Sequence, residues 1–329
     1  MKKITLLFFF FIVSNTFSQT ISFTDSNFKS VLLYANSTTH FMAKNAAGDF
    51  VNIDTNNDGE IQQSEALNIY YLNAYDSGIA VQAISIQNIE GLQYFTNLRE
   101  FSIPNCLIQE INLNANINLE KVTIGTNLGL TSLLLPNSNL LQVIYFGNTN
   151  VSTFDATNLI NLREIHFNNT PINTIDFSNC SNLNIISCQN SLLTSLDVSA
   201  CPLLTSISCE NIPVENLDFS NNPVLGSITV GGSTLKFISV KNGALNGFYI
   251  NDNYPTPNLM YACCDEIEVD YLRNTVLANY PNCNVNTYCS FNPGGTYYTI
   301  NGNNRFDANA NGCDATDLTY PFFKLNIAT

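Results

Sequence analysis

The 329-residue chain has no tryptophan, two histidines, three methionines counting Met1, and only 12 lysines and arginines. Each scarcity removes a class of function. Against 26 acidic residues the formal charge is −14. So few cations cannot neutralise a nucleic-acid backbone or an anionic membrane, and neither is expected as a partner. The two histidines leave little room for imidazole chemistry. His40 lies in a polar stretch, and His166 sits between Ile165 and Phe167, where strand alternation turns it to solvent. No nucleophile stands near His166 in a recognisable arrangement. Phosphate loops, zinc spacings and nucleotide fingerprints are absent, so the chain is not expected to be an enzyme.

Long apolar runs are scarce too. One occurs, at residues 4–13, broken by Thr5 and preceded by Lys2 and Lys3. It is too short to span a bilayer, and no transmembrane helix is expected. Thr16 and Ser18 place small residues where a signal peptidase cuts, so residues 1–18 read as a signal peptide. No cysteine stands at the cleavage point to carry a lipid. The protein is expected to be secreted or held on the outer-membrane surface, as a monomer. Export permits disulfides among its ten cysteines.

What is present is a repeat. Leu98, Leu119, Leu141, Leu162, Leu183, Leu204 and Leu225 are separated by 21, 22, 21, 21, 21 and 21 residues. Each opens the pattern L-x-x-Φ-x-Φ, as in Leu162, Ile165 and Phe167, where Φ is apolar. Period-two alternation predicts a short strand with one buried face. A second apolar half follows, for example Ile172, Ile175 and Phe177. No single unit can bury these residues alone, so stacked units must share one core and a parallel sheet. Residues 69–250 are assigned to the array, and residues 69–98 form a longer first unit. Cys188 and Cys209 take the place of Phe146 and Phe167, as small core side chains. Cys180 and Cys201 recur near the turns, either as stacked thiols or as a pair. Asn105, Asn148, Asn169, Asn190 and Asn211 recur at strand ends, where a side-chain amide can satisfy the turning backbone. Asp155, Asp176, Asp197 and Asp218 read as solvated turn residues, with a cation-binding row as the alternative. Ala156, where Phe177 and Val198 stand in later units, implies a locally thinner core.

The pattern L-x-x-L-x-L-x-x-N-x-L followed by T-x-L-D-V-S, closest at residues 190–199, resembles leucine-rich repeats of secreted proteins from Bacteroidetes (Flavobacterium-like) bacteria. The resemblance covers about residues 20–313. It implies a leucine-rich-repeat solenoid with short parallel β-strands and a binding or adhesive role. The usual last asparagine is kept only by Asn127; Cys106, Thr149, Thr170 and Ser191 replace it.

Ahead of the array, residues 19–68 predict a small α-helical cap. Phe28, Val31 and Leu32 share a helical face, with Asp25 or Ser26 as N-cap. A second short helix starts after Ser64 and runs through Ala66 and Leu67. Residues 54–65 read DTNNDGEIQQSE. Asp54, Asn56 and Asp58 stand at positions one, three and five, with Gly59 at the sharp turn. Glu60 would offer its carbonyl, Gln62 would act through water, and Glu65 would be bidentate. This spacing predicts an EF-hand-like Ca2+ site in a structural role. The alternative is a loop that folds without metal. The cap resembles those that precede secreted repeat arrays.

Behind the array, residues 251–290 predict a cap with a helix over about residues 266–278, Ile267, Leu272 and Val276 facing inward. Cys283 and Cys289 are close enough to close a small loop, and Cys263 or Cys264 could join them. The cap resembles the cysteine-containing closing caps of the same family, hence a disulfide-containing C-cap with its pairing open. In residues 291–329, Asp307, Asn309, Asn311 and Asp317 surround Gly312 as a second, weaker calcium loop. This segment resembles the start of a B-type bacterial surface-protein β-sandwich module, and reads as an incomplete one, so the chain is expected to be a fragment.

Glu100, Lys121, Tyr145, Glu164, His166, Gln189 and Glu210 are the outward strand residues expected to bind a partner. Glu100 and Glu164 are three units apart, at roughly 5 Å per unit too far for paired-carboxylate chemistry. The expected function is non-enzymatic binding or adhesion, with an unknown extracellular protein or glycan on the repeat sheet. The alternative is a passive spacer or display stalk for a further C-terminal module.

Overall fold

The computed structural model describes residues 19–75, 85–232, 234–251 and 258–289, together with the backbone of 305–306 and 318–319. The expected signal peptide lies outside the described residues. So do Ile79 and Ile84 of the first unit, and Asp307, Asn309, Asn311 and Asp317 of the second acidic loop. The chain forms two compact units, Met1–Phe291 and Asn292–Thr329. Within the second, Arg305–Phe306 and Leu318–Thr319 pair antiparallel.

The chain enters through helix α1 (Ser26–Tyr34), which buries Phe28, Val31 and Leu32 as its spacing requires. Asp25 is the N-cap, its Oδ1 accepting the amides of Asn27 at 2.8 Å and Phe28 at 3.2 Å. Its Oδ2 accepts the amides of Gln87 at 2.7 Å and Asn88 at 3.1 Å. One carboxylate thus starts the helix and ties the cap to the first repeat. Strand β1 (Ala43–Lys44) and helix α2 (Gln63–Ala66) complete the cap. Leu67, expected in that helix, is its exposed C-cap residue.

The array follows in chain order as β2 (Tyr71–Asn73), β3 (Glu100–Ser102), β4 (Glu110–Asn112), β5 (Lys121–Thr123), β6 (Ser132–Leu134), β7 (Val143–Tyr145), β8 (Glu164–His166), β9 (Ile185–Ser187), β10 (Ser206–Ser208), β11 (Asn216–Asp218), β12 (Ser227–Val230), β13 (Phe237–Ser239) and β14 (Gly247–Ile250). The closing cap adds β15 (Tyr261–Cys263), helix α3 (Val269–Leu277) and β16 (Asn284–Asn286). Ten strands form one sheet in the order β1-β2-β3-β5-β7-β8-β9-β10-β12-β14, parallel throughout except for the antiparallel β1–β2 pair. Strands are in register, so Phe101, Val122, Ile144, Ile165, Ile186, Ile207, Ile228 and Phe248 make one buried column. The seven anchoring leucines are likewise buried. Each fully buried aliphatic contributes about 1.5–3 kcal/mol, so the column outweighs any surface contact in the fold. This repeating, in-register architecture is a leucine-rich-repeat solenoid.

A second parallel sheet, β11-β13-β15-β16, lines the return side near the end. The sequence rhythm stops near Asn258, yet β15 and β16 extend this sheet. A disulfide joins Cys263 to Cys289, with Cα atoms 5.4 Å apart. Cys264 and Cys283 remain free and buried. Ile267 corrects the expectation for this cap: it precedes α3 and is 70% exposed, while Leu272 and Val276 are buried.

Turn chemistry explains the repeating polar residues. Asn105, Asn148, Asn169, Asn190 and Asn211 all have φ between 52° and 58°, the left-handed region in which asparagine is tolerated. Their amides also chain along the array. Asn169 donates to Asn148 at 2.9 Å, Asn190 to Asn169 at 2.8 Å, and Asn211 to Asn190 at 2.8 Å. Asp155, Asp176, Asp197 and Asp218 each accept the amide two residues on, at 2.8–2.9 Å. That is the turn role expected of them. Beside Ala156, the Phe154 ring stacks on Phe146 at 4.8 Å, adding aromatic bulk to the thinner unit.

Candidate functional site

The acidic loop gathers oxygen-bearing side chains around one point. Asn56 Nδ2 lies 2.9 Å from Asp58 Oδ2 and 3.2 Å from Gln62 Oε1. Gln62 Nε2 lies 3.0 Å from the same Asp58 oxygen. Asp54 accepts the Asp58 amide at 3.3 Å and the Gly59 amide at 2.9 Å, with φ +77° at Gly59. Two amide groups therefore direct N–H at the carboxylate of Asp58, where a cation would sit. Turning each amide presents its oxygen instead, so this donor set fits a hard cation. The Asp58 carboxyl is held below the usual range by the Glu60 amide and by Asn56.

Glu65 has another task in this arrangement. Its Oε1 accepts the Thr55 amide and hydroxyl at 2.7 Å each, and its Oε2 accepts the Gln62 amide at 2.9 Å. This closes a capping box at α2. The Glu60 side chain pairs with Lys29 at 2.6 Å, tying the loop to α1. Residues just after the expected cleavage point clamp the loop: the Ile21 amide donates to the Ile61 carbonyl at 2.8 Å, and Gln63 to Gln19 at 2.9 Å. Among the described residues, no three histidine, cysteine or acidic side chains form a metal cluster.

On the ten-stranded sheet the outward residues fall into two rows. Register places Glu100, Lys121, Val143, Glu164 and Ile185 in one, and Ser102, Thr123, Tyr145, His166 and Ser187 in the other. Tyr145 and His166 stack with centroids 4.1 Å apart and planes at 8°. The Tyr145 hydroxyl donates to Glu164 Oε2 at 2.8 Å, and Lys121 Nζ lies 5.9 Å from the Tyr145 ring centroid. His166 Nε2 is 3.9 Å from Glu164 Oε2, beyond hydrogen-bond range. Burial lowers the His166 pKa while Glu164 opposes the shift. Burial and the Glu164 carboxylate push the Tyr145 phenol up to about 12. The strands thus bring Lys121, Tyr145, Glu164 and His166 into one group, with Glu100 exposed beside it.

Two expected residues do not belong to that group. Glu210 is a correction: it is 3% exposed rather than outward. Its carboxylate accepts from Ser208 Oγ at 2.7 Å, Gln189 Nε2 at 3.2 Å and Asn251 Nδ2 at 3.3 Å. It stands two residues past the end of β10, and the side chains of Ser208, Gln189 and Asn251 close around its carboxylate, so position on the strand does not show that it is covered. Gln189 is half-buried in the same network. Toward the C-terminal end the face flattens to Ser206, Ser208, Ser227, Thr229 and Gly247, with exposed Tyr249 at its limit.

Sequence reasoning missed the other end of the face. Lys44 Nζ lies 4.7 Å from the Phe50 ring centroid and 4.8 Å from that of Tyr71. Tyr71 is in register with Glu100, but the longer first unit hides that match. Also missed were the buried amides that hold one coil to the next. Asn116 Nδ2 donates to Leu92 O at 3.0 Å and Phe95 O at 3.1 Å. Asn222 Nδ2 does the same to Val198 O at 3.0 Å and Cys201 O at 2.8 Å. Cys180 and Cys201 occupy this repeat position as free, buried thiols, which burial pushes up to about 11 and about 12. Cys188 and Cys209 are core side chains as expected, at 0% and 1% exposure.

The chain is thus a leucine-rich-repeat solenoid with a polar sheet face. No protein-family model and no curated protein matches it. Similar solved structures include internalin C2 of Listeria monocytogenes, 15% identical, covering 74% of this chain and 94% of that one, with a TM-score of 0.39. Internalin inlF of the same organism is 15% identical over 82% of this chain and 96% of that one, with a TM-score of 0.35. The functional domain of InlJ from Listeria monocytogenes, described as including a cysteine ladder, is 15% identical over 74% and 71%, with a TM-score of 0.32.

Proposed function

We propose that this protein is a secreted or cell-surface, non-enzymatic binding protein that holds an extracellular protein or glycan on its sheet face. The carrying observation is the fixed group of Lys121, Tyr145, Glu164 and His166 on a face otherwise rich in hydroxyls. Stacking and the Tyr145–Glu164 bond hold Tyr145, Glu164 and His166 in place before a partner arrives. Little rotamer entropy is then lost on binding, which is the condition for a hot spot. Among the described residues no helix is long and apolar enough to cross a membrane.

Ca2+ at residues 54–65 has a structural role in this proposal. Asp54, Asn56, Asp58 and Gln62 supply side-chain oxygens, Glu60 its carbonyl, and Glu65 a carboxylate already anchored at α2. A bound ion supplies charge neutralisation and fixes the loop against α1 and the array.

The test compares wild type with a Tyr145→Ala/His166→Ala double variant on arrays of extracellular proteins and glycans. A ligand retained by wild type and lost by the double variant, at unchanged melting temperature, supports the proposal. Equal capture by both sinks it. The hydroxyl-rich stretch from β10 to β12 favours the second reading, a spacer, which predicts capture by neither.

A further inference from the structure

Helix α3 packs on β14 and β16 and closes the end of the array. Its N-cap residue, Glu268, is only 3% exposed. Glu268 Oε2 accepts the Asn246 amide at 3.0 Å, while Oε1 is buried with no donor. Asn246 stands 21 residues after Leu225, where an anchoring leucine would come next, and is 5% exposed. Its Nδ2 donates to Leu225 O at 2.6 Å, and its Oδ1 is a second buried acceptor without a donor. Each such oxygen costs about 1–3 kcal/mol. A carboxylic acid supplies the donor that a carboxylate lacks.

The charged groups nearby do not supply it. Asp265 Oδ2 accepts the amides of Asn242 at 3.0 Å and Gly243 at 2.6 Å. Lys241 is engaged by Glu266 at 3.1 Å, and Arg273 by Asp270 at 3.3 Å. Among the described residues no cation forms a salt bridge with Glu268.

We propose that Glu268 is a proton-operated latch: as a neutral acid it closes α3 over the last repeat, and its ionisation loosens that end. Burial raises its pKa first of all, the Asn246 amide opposes this, the Asp265 carboxylate adds to it, and the Asp265 backbone amide opposes it, with a net rise. The folded value is therefore above the unfolded one. The stabilisation is complete below the unfolded glutamate value of about 4.3 and is lost as pH rises through the folded value.

Glu268→Gln keeps the shape, adds a donor and cannot ionise. Hydrogen exchange of the α3 amides, read by mass spectrometry, compares it with wild type at about pH 4, below the ordinary glutamate value, and at about pH 8, well above it. Equal protection at the lower pH and several-fold slower exchange in the variant at the higher pH support the latch. A difference of the same size at both values, or faster exchange in the variant at the higher pH, overturns it. Should the variant fail to fold, wild type still decides. After correction for intrinsic rates, its α3 exchange must accelerate as pH rises through the carboxyl range, and a flat profile overturns the latch.

Discussion

The phenol of Tyr145 and the imidazole of His166 lie face to face on adjacent strands, and Glu164 reaches both from β8: it accepts the phenol hydroxyl and lies 3.9 Å from His166 Nε2. The ring stack and the Tyr145–Glu164 hydrogen bond join the three side chains. The sheet therefore presents a half-buried, stacked pair rather than two separate side chains.

This geometry predicts the titration of His166. Burial lowers its pKa, and the Glu164 carboxylate holds it partly up. Glu164→Gln should lower it further. With a depressed folded value, the contribution of His166 to stability is present above about pH 6.5 and is lost as pH falls through the folded value. Proton NMR of the imidazoles is tractable because the chain has only His40 and His166. An unchanged or raised pKa in the variant would contradict the assigned role of Glu164.

Thr126 is the strained member of the left-handed turn series. It holds φ 65° where other units place asparagine, and where Gly232 holds φ 136°. A β-branched residue there costs about 1–2 kcal/mol. Thr126→Asn should stabilise the protein by about 1 kcal/mol. Denaturant unfolding checks this, and a loss of stability rejects it.

Asn222 tests how the coils are held together. Its amide satisfies two carbonyls of the preceding coil and is fully buried. Asn222→Ala should cost about 2–4 kcal/mol, because both carbonyls lose their donor. Asn222→Cys should cost less, since Cys180 in the same position lies 3.6 Å from Ala156 O and 3.8 Å from Leu159 O. Equal losses in the two variants would show that the donor is unimportant.

Calcium gives a separable expectation. A metal-free sample should gain about 2.7 kcal/mol at one hundred times the dissociation constant. Asp58→Ala should abolish the gain. Asp176→Ala, in the row of turn carboxylates, should leave it intact. Calorimetric titration without heat in the wild type would remove calcium from the proposal.

The leucine spacing alone determined the solenoid, because residues recurring every 21 or 22 positions can share a buried column only when the coils stack in register. Alternation within each strand determined that Tyr145 and His166 face outward. The polar spacing of residues 54–65 determined a gathered oxygen-rich loop. Glu210 lay outside this reasoning because alternation says which way a residue points, not whether neighbouring side chains such as Gln189 and Asn251 cover it. Ile267 was misassigned because apolar spacing shows which residues could share a helix face, but not where the helix begins.

Only the tertiary structure decided which cysteines join, since Cys263 and Cys289 meet through the folding of the cap. It also decided that Asp25 serves two segments, that Glu65 is spent partly on a helix cap, and that Glu268 and Asn246, joined by one hydrogen bond, each bury a second oxygen without a donor. Except for the local Glu65 cap, each of these depends on distances between residues 22 to 63 positions apart. Periodicity fixes what faces inward along one coil. Which polar atom finds a partner on the next is settled by packing.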